Sequence, residues 1–91
     1  MFARYDSEAR SLAIDLEADA SHQHNPEVAP NVLVGVRDGQ AVSVEVISCD
    51  VVGLDGLDAA ARAFGLDGEA LLAAARAAIA APDRGVNITV A

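Results

Sequence analysis

The residues best suited to chemistry in this 91-residue chain are few and widely spaced. His22-Gln23-His24 puts two imidazoles in one acidic stretch, with Asp19 and Glu27 nearby. Two imidazoles and a carboxylate are a transition-metal ligand set. The spacing fixes no geometry, however, and no Cys or third His completes the set. The segment is expected to be a solvated polar loop, and no metal is assigned to it. Glu45 lies between Val44 and Val46, where burial would make it a candidate general acid or base. Its sequence neighbourhood supplies no second carboxylate or His. An ion pair with Arg10 or Arg37, or a place at the sheet rim, is the expectation. Cys49 is the lone cysteine and is followed by Asp50, whose charge would push the thiol pKa upward. That is the wrong direction for a nucleophile. Tyr5 and Asp6 are expected at a core edge and a turn.

Other motifs fail for stated reasons. Asn87-Ile88-Thr89 has the form of a glycosylation acceptor, but no secretory signal accompanies it. Gly53-Leu54-Asp55-Gly56 is too short and too acidic to cradle phosphate. Ala60 to Leu72 fits a helix-turn-helix pattern, with Gly65 in the turn and Leu66 and Leu71 after it. Its reading helix would open with Asp67, Gly68 and Glu69, followed by Leu72 and Ala73. None donates to a guanine or adenine edge, and two would meet phosphate as anions. The pattern is expected to be an αα-hairpin. No catalytic, cofactor-binding or metal-binding residue is assigned, and no enzymatic activity is expected.

The elements that would position any site must form from little. One small domain spanning 1–91 is expected. Hydrophobic residues make up 53% of the chain but aromatics only 3%, so the core must be Val, Leu, Ile and Ala. Fourteen Asp and Glu face six Arg and no Lys, for a formal net charge of −8. That balance repels nucleic acid and anionic membranes and favours a basic protein partner. The lack of Lys beside abundant Ala, Arg, Gly and Asp suggests a GC-rich bacterial genome. A single Cys allows no internal disulfide, the start carries no apolar signal core, and no run approaches about 18 apolar residues. A cytoplasmic location is expected.

Phe2–Tyr5 and Ser11–Leu16 read as strands, the second with Leu12, Ile14 and Leu16 on one face. Residues 17–30 read as a long loop. Val32–Val36 and Ala41–Ile47 form a hairpin through Asp38-Gly39. A simple register pairs Val36 with Ala41 and Val34 with Ser43. It puts Leu33, Val42, Val44 and Val46 on one face and Val32, Val34, Val36 and Ile47 on the other. Both faces would then be apolar. Asp55 can cap a helix through Phe64, stopped by Gly65, with Leu57, Ala60, Ala61 and Phe64 on one side. Asp67 can cap a second, from about Gly68 to Ala81, ended by Pro82. Val86, Ile88 and Val90 alternate as a closing strand.

The N-terminal half resembles a family of small bacterial proteins, the domain of unknown function 2283 family. The likeness rests on Tyr5-Asp6-Ser7-Glu8-Ala9-Arg10-Ser11-Leu12-Ala13-Ile14-Asp15-Leu16 and on the Val-rich hairpin from Val32 to Ile47. It covers about residues 2–48. Ser43 stands where the family usually has Gly, and the helices and closing strand are an extension many members lack. The resemblance implies a β-meander and carries over no activity.

The expected class is therefore α+β. An antiparallel meander of about four strands (2–52) precedes a helical hairpin (55–81) and a final strand (86–90). The expected role is a non-enzymatic interaction module that pairs as a homodimer through its second helix and an uncovered apolar sheet face. The alternative is a small antitoxin-like or regulatory protein that binds a basic protein partner.

Overall fold

A computed structural model of the chain describes residues 1–89. The elements are β1 (Phe2–Asp6), β2 (Ser11–Asp15), β3 (Glu27–Ala29), β4 (Val32–Arg37), β5 (Gln40–Val46), α1 (Cys49–Val52), α2 (Gly56–Phe64), α3 (Gly68–Ala80) and β6 (Gly85–Asn87). The architecture is α+β, as the order of the elements indicates. All six strands pair antiparallel in the order β3-β4-β5-β2-β1-β6. One layer of helix covers one face, with α2 on the β3–β4–β5 half and α3 on β1, β2 and β6.

The strand order refines the expected meander. β3, β4 and β5 are joined by tight turns, yet β2 pairs with β5 rather than with the strand that follows it in sequence. This is a Greek-key arrangement. It requires the chain after β2 to cross the ends of β5 and β4, which is why residues 16–26 are long and polar. Arg37 pins that crossing. Its guanidinium donates to the carbonyls of Asp19 and Ser21, each at 2.9 Å, and pairs with Glu17 at 2.9 Å. The segment expected to be wholly loop also contributes β3, a three-residue strand that borrows the edge of β4.

The hairpin register departs from expectation at one residue. Asp38 and Gly39 hold φ of 53° and 78°, the two left-handed conformations a type I′ turn requires. Val36 faces Ala41, as expected. Gly35 then faces Ser43, and Val34 faces Val44 rather than Ser43. Val42 is thus an extra residue, a β-bulge in β5. A one-residue shift moves a whole strand's side chains to the opposite face. Val32, Val34, Val44 and Val46 consequently share the face under the helices, where all four are buried. The expectation of two apolar faces is corrected by this bulge.

The inner face is built in rows across the sheet. Val34, Val44, Ile14, Ala3 and Val86 form one, and Val32, Val46, Leu12 and Tyr5 another. The open face carries Leu33, Glu45, Ala13, Arg4 and Gly85 in one row, and Gly35, Ser43, Asp15, Phe2 and Asn87 in the next. It is polar and built largely of small side chains.

Both helices end where their sequence says they should. α2 buries Leu57, Ala60 and Ala61, and Gly65 closes it at φ 65° with Leu66 N–H donating back to the Ala61 carbonyl at 2.9 Å. That six-to-one bond is a Schellman end. Asp55 does not cap α2 through its side chain, because its own backbone is already helical. Asp67 does cap α3, accepting from Ala70 N–H at 3.1 Å. α3 buries Leu71, Ala74, Ala75 and Ala78 at i, i+3, i+4 and i+7. It therefore buries one stripe within the chain. Alanine on both faces hides the periodicity from the sequence. β6 pairs with β1, and Ile88 extends the ladder by exchanging backbone bonds with Met1. Val90, expected in this strand, lies outside the described residues.

Candidate functional site

The sequence-selected groups do not converge. His22 lies over Gly35, whose missing side chain leaves room for the ring and for Ser43. His24 exchanges backbone bonds with Val36 at the edge of β4. Among the described residues, no three His, Cys, Asp or Glu side chains are grouped so as to hold a metal. Glu45 is exposed on the open face between Ala13 and Leu33. The ion pairs expected for it go elsewhere, Arg10 to Asp50 at 3.3 Å and Arg37 to Glu17 and Asp19. The register explains this, since neither arginine shares a row with Glu45. Cys49 opens α1, and it is buried. Burial, and to a lesser degree Asp50, pushes its thiol pKa up. Tyr5 is half-buried, and Asp6 accepts from Glu8 and Ala9 N–H at 3.0 Å in the β1–β2 turn.

Two carboxylates are held below their ordinary range, and both hold loops in place. Asp83 accepts from the Ser7 hydroxyl at 2.6 Å and Ser7 N–H at 2.9 Å, tying the turn before β6 to the β1–β2 turn. Asp19 accepts from the Ser21 hydroxyl at 2.7 Å and its N–H at 3.1 Å. Those bonds lower both pKa values.

A concavity lies on the helix side. A groove of about 880 Å³ runs along α2 and α3. Leu54, Leu57, Leu66 and Leu72 give it an apolar lining. Asp55, Asp58, Asp67 and Glu69 supply four carboxylates against the single lining guanidinium of Arg76. Each wall follows from local sequence. The Gly65 turn reverses the chain so that α3 returns beside α2, where Gly68 meets Ala61: a Cβ on Gly68 would make ordinary contact, 3.4 Å, with Ala61 Cβ. Gly56 seats the start of α2 directly on β4, since any side chain there would collide with Val32.

The four acids differ in what already occupies them. Asp58 pairs with Arg62 at 2.9 Å one helical turn on, and Asp67 is engaged as a cap. The side chains of Asp55 and Glu69 have no hydrogen-bond or ion-pair partner among the described residues. Both stand at helix N-termini, where the helix dipole favours an acid. The apolar lining beside them has no such explanation.

No family model, curated protein or solved structure matches the chain. The groove was only partly visible in sequence. Asp67, Gly68, Glu69 and Leu72, read there as the opening of an unsuitable DNA-reading helix, are four of its lining residues. Leu54 and Asp55 join them through the α2–α3 packing, which no local pattern encodes.

Proposed function

We propose that this protein is a small non-enzymatic interaction module whose helix-side groove holds a basic, partly apolar segment of a protein partner. The observation that carries this reading is the pairing of an apolar floor with two unengaged carboxylates, Asp55 and Glu69, in one groove. Charge complementarity of that kind sets on-rate and partner choice, while apolar contact supplies affinity. The net charge of −8 argues in the same direction and against nucleic acid or an anionic membrane surface. Among the described residues no helix is long and apolar enough to cross a membrane.

The test is anisotropy of a labelled Arg- and Leu-containing peptide, with two double variants. Asp55→Asn with Glu69→Gln should weaken binding about tenfold, the scale of a few lost charge contacts. Glu8→Gln with Glu45→Gln removes the same charge from distant surfaces and should leave binding within about twofold. Equal loss in both would mean that only net charge matters, and the reading would fail.

Self-association is the second reading, with narrower support than the sequence offered it. Its sheet-face argument is gone, and what remains is the outer side of α3, where Ala73, Arg76, Ile79 and Ala80 are exposed. Light scattering at micromolar concentration should then give twice the 9.3 kDa chain mass, with Ile79→Asp restoring one. A single-chain mass before any substitution removes this reading.

A further inference from the structure

The walls of the groove also restrict the conformation of what lies in it. They are helices, whose backbone N–H and C=O groups in mid-helix are committed to their own i to i−4 bonds. An extended segment laid on Leu54, Leu57, Leu66 and Leu72 would press its own backbone polar groups against apolar side chains and find no ladder to join. Buried backbone groups without partners cost about 1–3 kcal/mol each. A helix satisfies its backbone internally and presents only side chains. The dimensions agree as well. α2 has nine residues, so its seam with α3 is at most about 14 Å long, two to three helical turns, which spans an i to i+7 repeat. The apolar path continues past the α2–α3 turn, because a second hollow of about 260 Å³ shares Leu66 and Asp67 with the groove. Met1, Leu16, Ala41 and Leu71 line that hollow, which is large enough for one apolar side chain at the end of such a helix.

We infer that the groove accepts an amphipathic basic helix, packed along the α2–α3 seam as a third helix of the layer. This rests on the basic-partner reading above. Leu or Ile at i, i+3 or i+4 and i+7 of the partner meets the leucine floor. Its flanking Arg or Lys residues reach Asp55 and Glu69. Arg76 closes the seam with the opposite charge, so a carboxylate at the corresponding end of the partner completes the match.

Three labelled 14-residue peptides of equal charge test this by anisotropy. One has Leu at helical spacing and Arg between, one is its scramble, and one is the first with a central Pro. The helical peptide should bind at least about tenfold more tightly than either other. Leu72→Ser, or Leu54→Ser on the other wall, should reduce its affinity about tenfold while the circular dichroism of the protein is unchanged. Equal binding of all three peptides would overturn the helical occupant and leave the basic-partner reading standing. Binding of none would overturn both. Tight binding of the helical peptide that survives both Leu substitutions would place it elsewhere and overturn the inference.

Discussion

The two sides of the sheet are made of the same four central strands and have little else in common. Beneath the helices, rows of Val, Ile, Leu and Ala are sealed from water. On the open side the same strands show Arg4, Ala13, Asp15, Ser43 and Glu45. A single bulged residue, Val42, makes the difference, because it brings the valines of β4 and β5 onto one side. The open side can then face water without a partner. Large apolar side chains that remain exposed, Phe2, Ile47, Val51 and Ile79, sit on separate elements and form no row of the sheet. Surface chemistry suited to a partner is found instead on the outside of the helical layer.

Val44→Asp would break this contrast most severely. The substitution sets a carboxylate in the buried row between Val34 and Ile14, where its neighbours are apolar. It should cost more than about 4 kcal/mol and abolish cooperative unfolding in urea. A variant that melts like the parent would show that this face is not sealed from water.

Paired substitutions sharpen the same comparison. Leu71→Ala, on the buried side of α3 and 1% exposed, should lose about 3 kcal/mol in denaturant titration. Ala13→Leu, on the open side, should change stability by no more than about 0.5 kcal/mol. Similar losses at both sites would mean that the open side is packed too.

How far the sequence discloses this arrangement depends on the range of the interactions concerned. Both long helices are legible because their stops, Gly65 and Pro82, are local, and α2 also because its buried stripe of Leu57, Ala60 and Ala61 is. The Asp38-Gly39 turn is legible for the same reason. The bulge is not, since the tight turn alone pairs Val34 with Ser43, and only the burial of Val44 beneath the helices, a long-range effect, selects the shifted register. β3 is illegible because Glu27–Ala29 is flanked by prolines and becomes a strand only on the edge of β4. The carboxylates of the groove stand out as helix starts, but its depth arises from how α2 and α3 pack, a long-range result.

Gly56→Val should rank next, at about 1–3 kcal/mol, because it forces α2 away from Val32 and widens the start of the groove. Thermal melting measures the loss, and Val32→Ala in the same chain should recover part of it. Without any recovery, the contact between Gly56 and Val32 is not what seats the helix.

The smallest effect is on the acid limb. Asp83 is held below its ordinary 3.8 chiefly by the Ser7 hydroxyl. A carboxylate with a depressed folded pKa stabilises the protein above its unfolded value, and that contribution is lost as pH falls through the folded one. Stability should therefore decline as pH falls from about 4 downward, and Ser7→Ala should flatten that limb slightly while changing little near pH 7. An unchanged acid limb would show that the clasp between the two turns does not contribute to stability.

On the proposed function, partners meet the helix side and not the open sheet. Backbone amide shifts in a 15N-labelled sample, titrated with the Arg- and Leu-containing helical peptide, test it most directly. Changes should concentrate in Leu54–Asp58 and Leu66–Arg76 and leave Arg4, Ala13 and Glu45 still. Changes centred on Arg4, Ala13 and Glu45, with the helices silent, would contradict it.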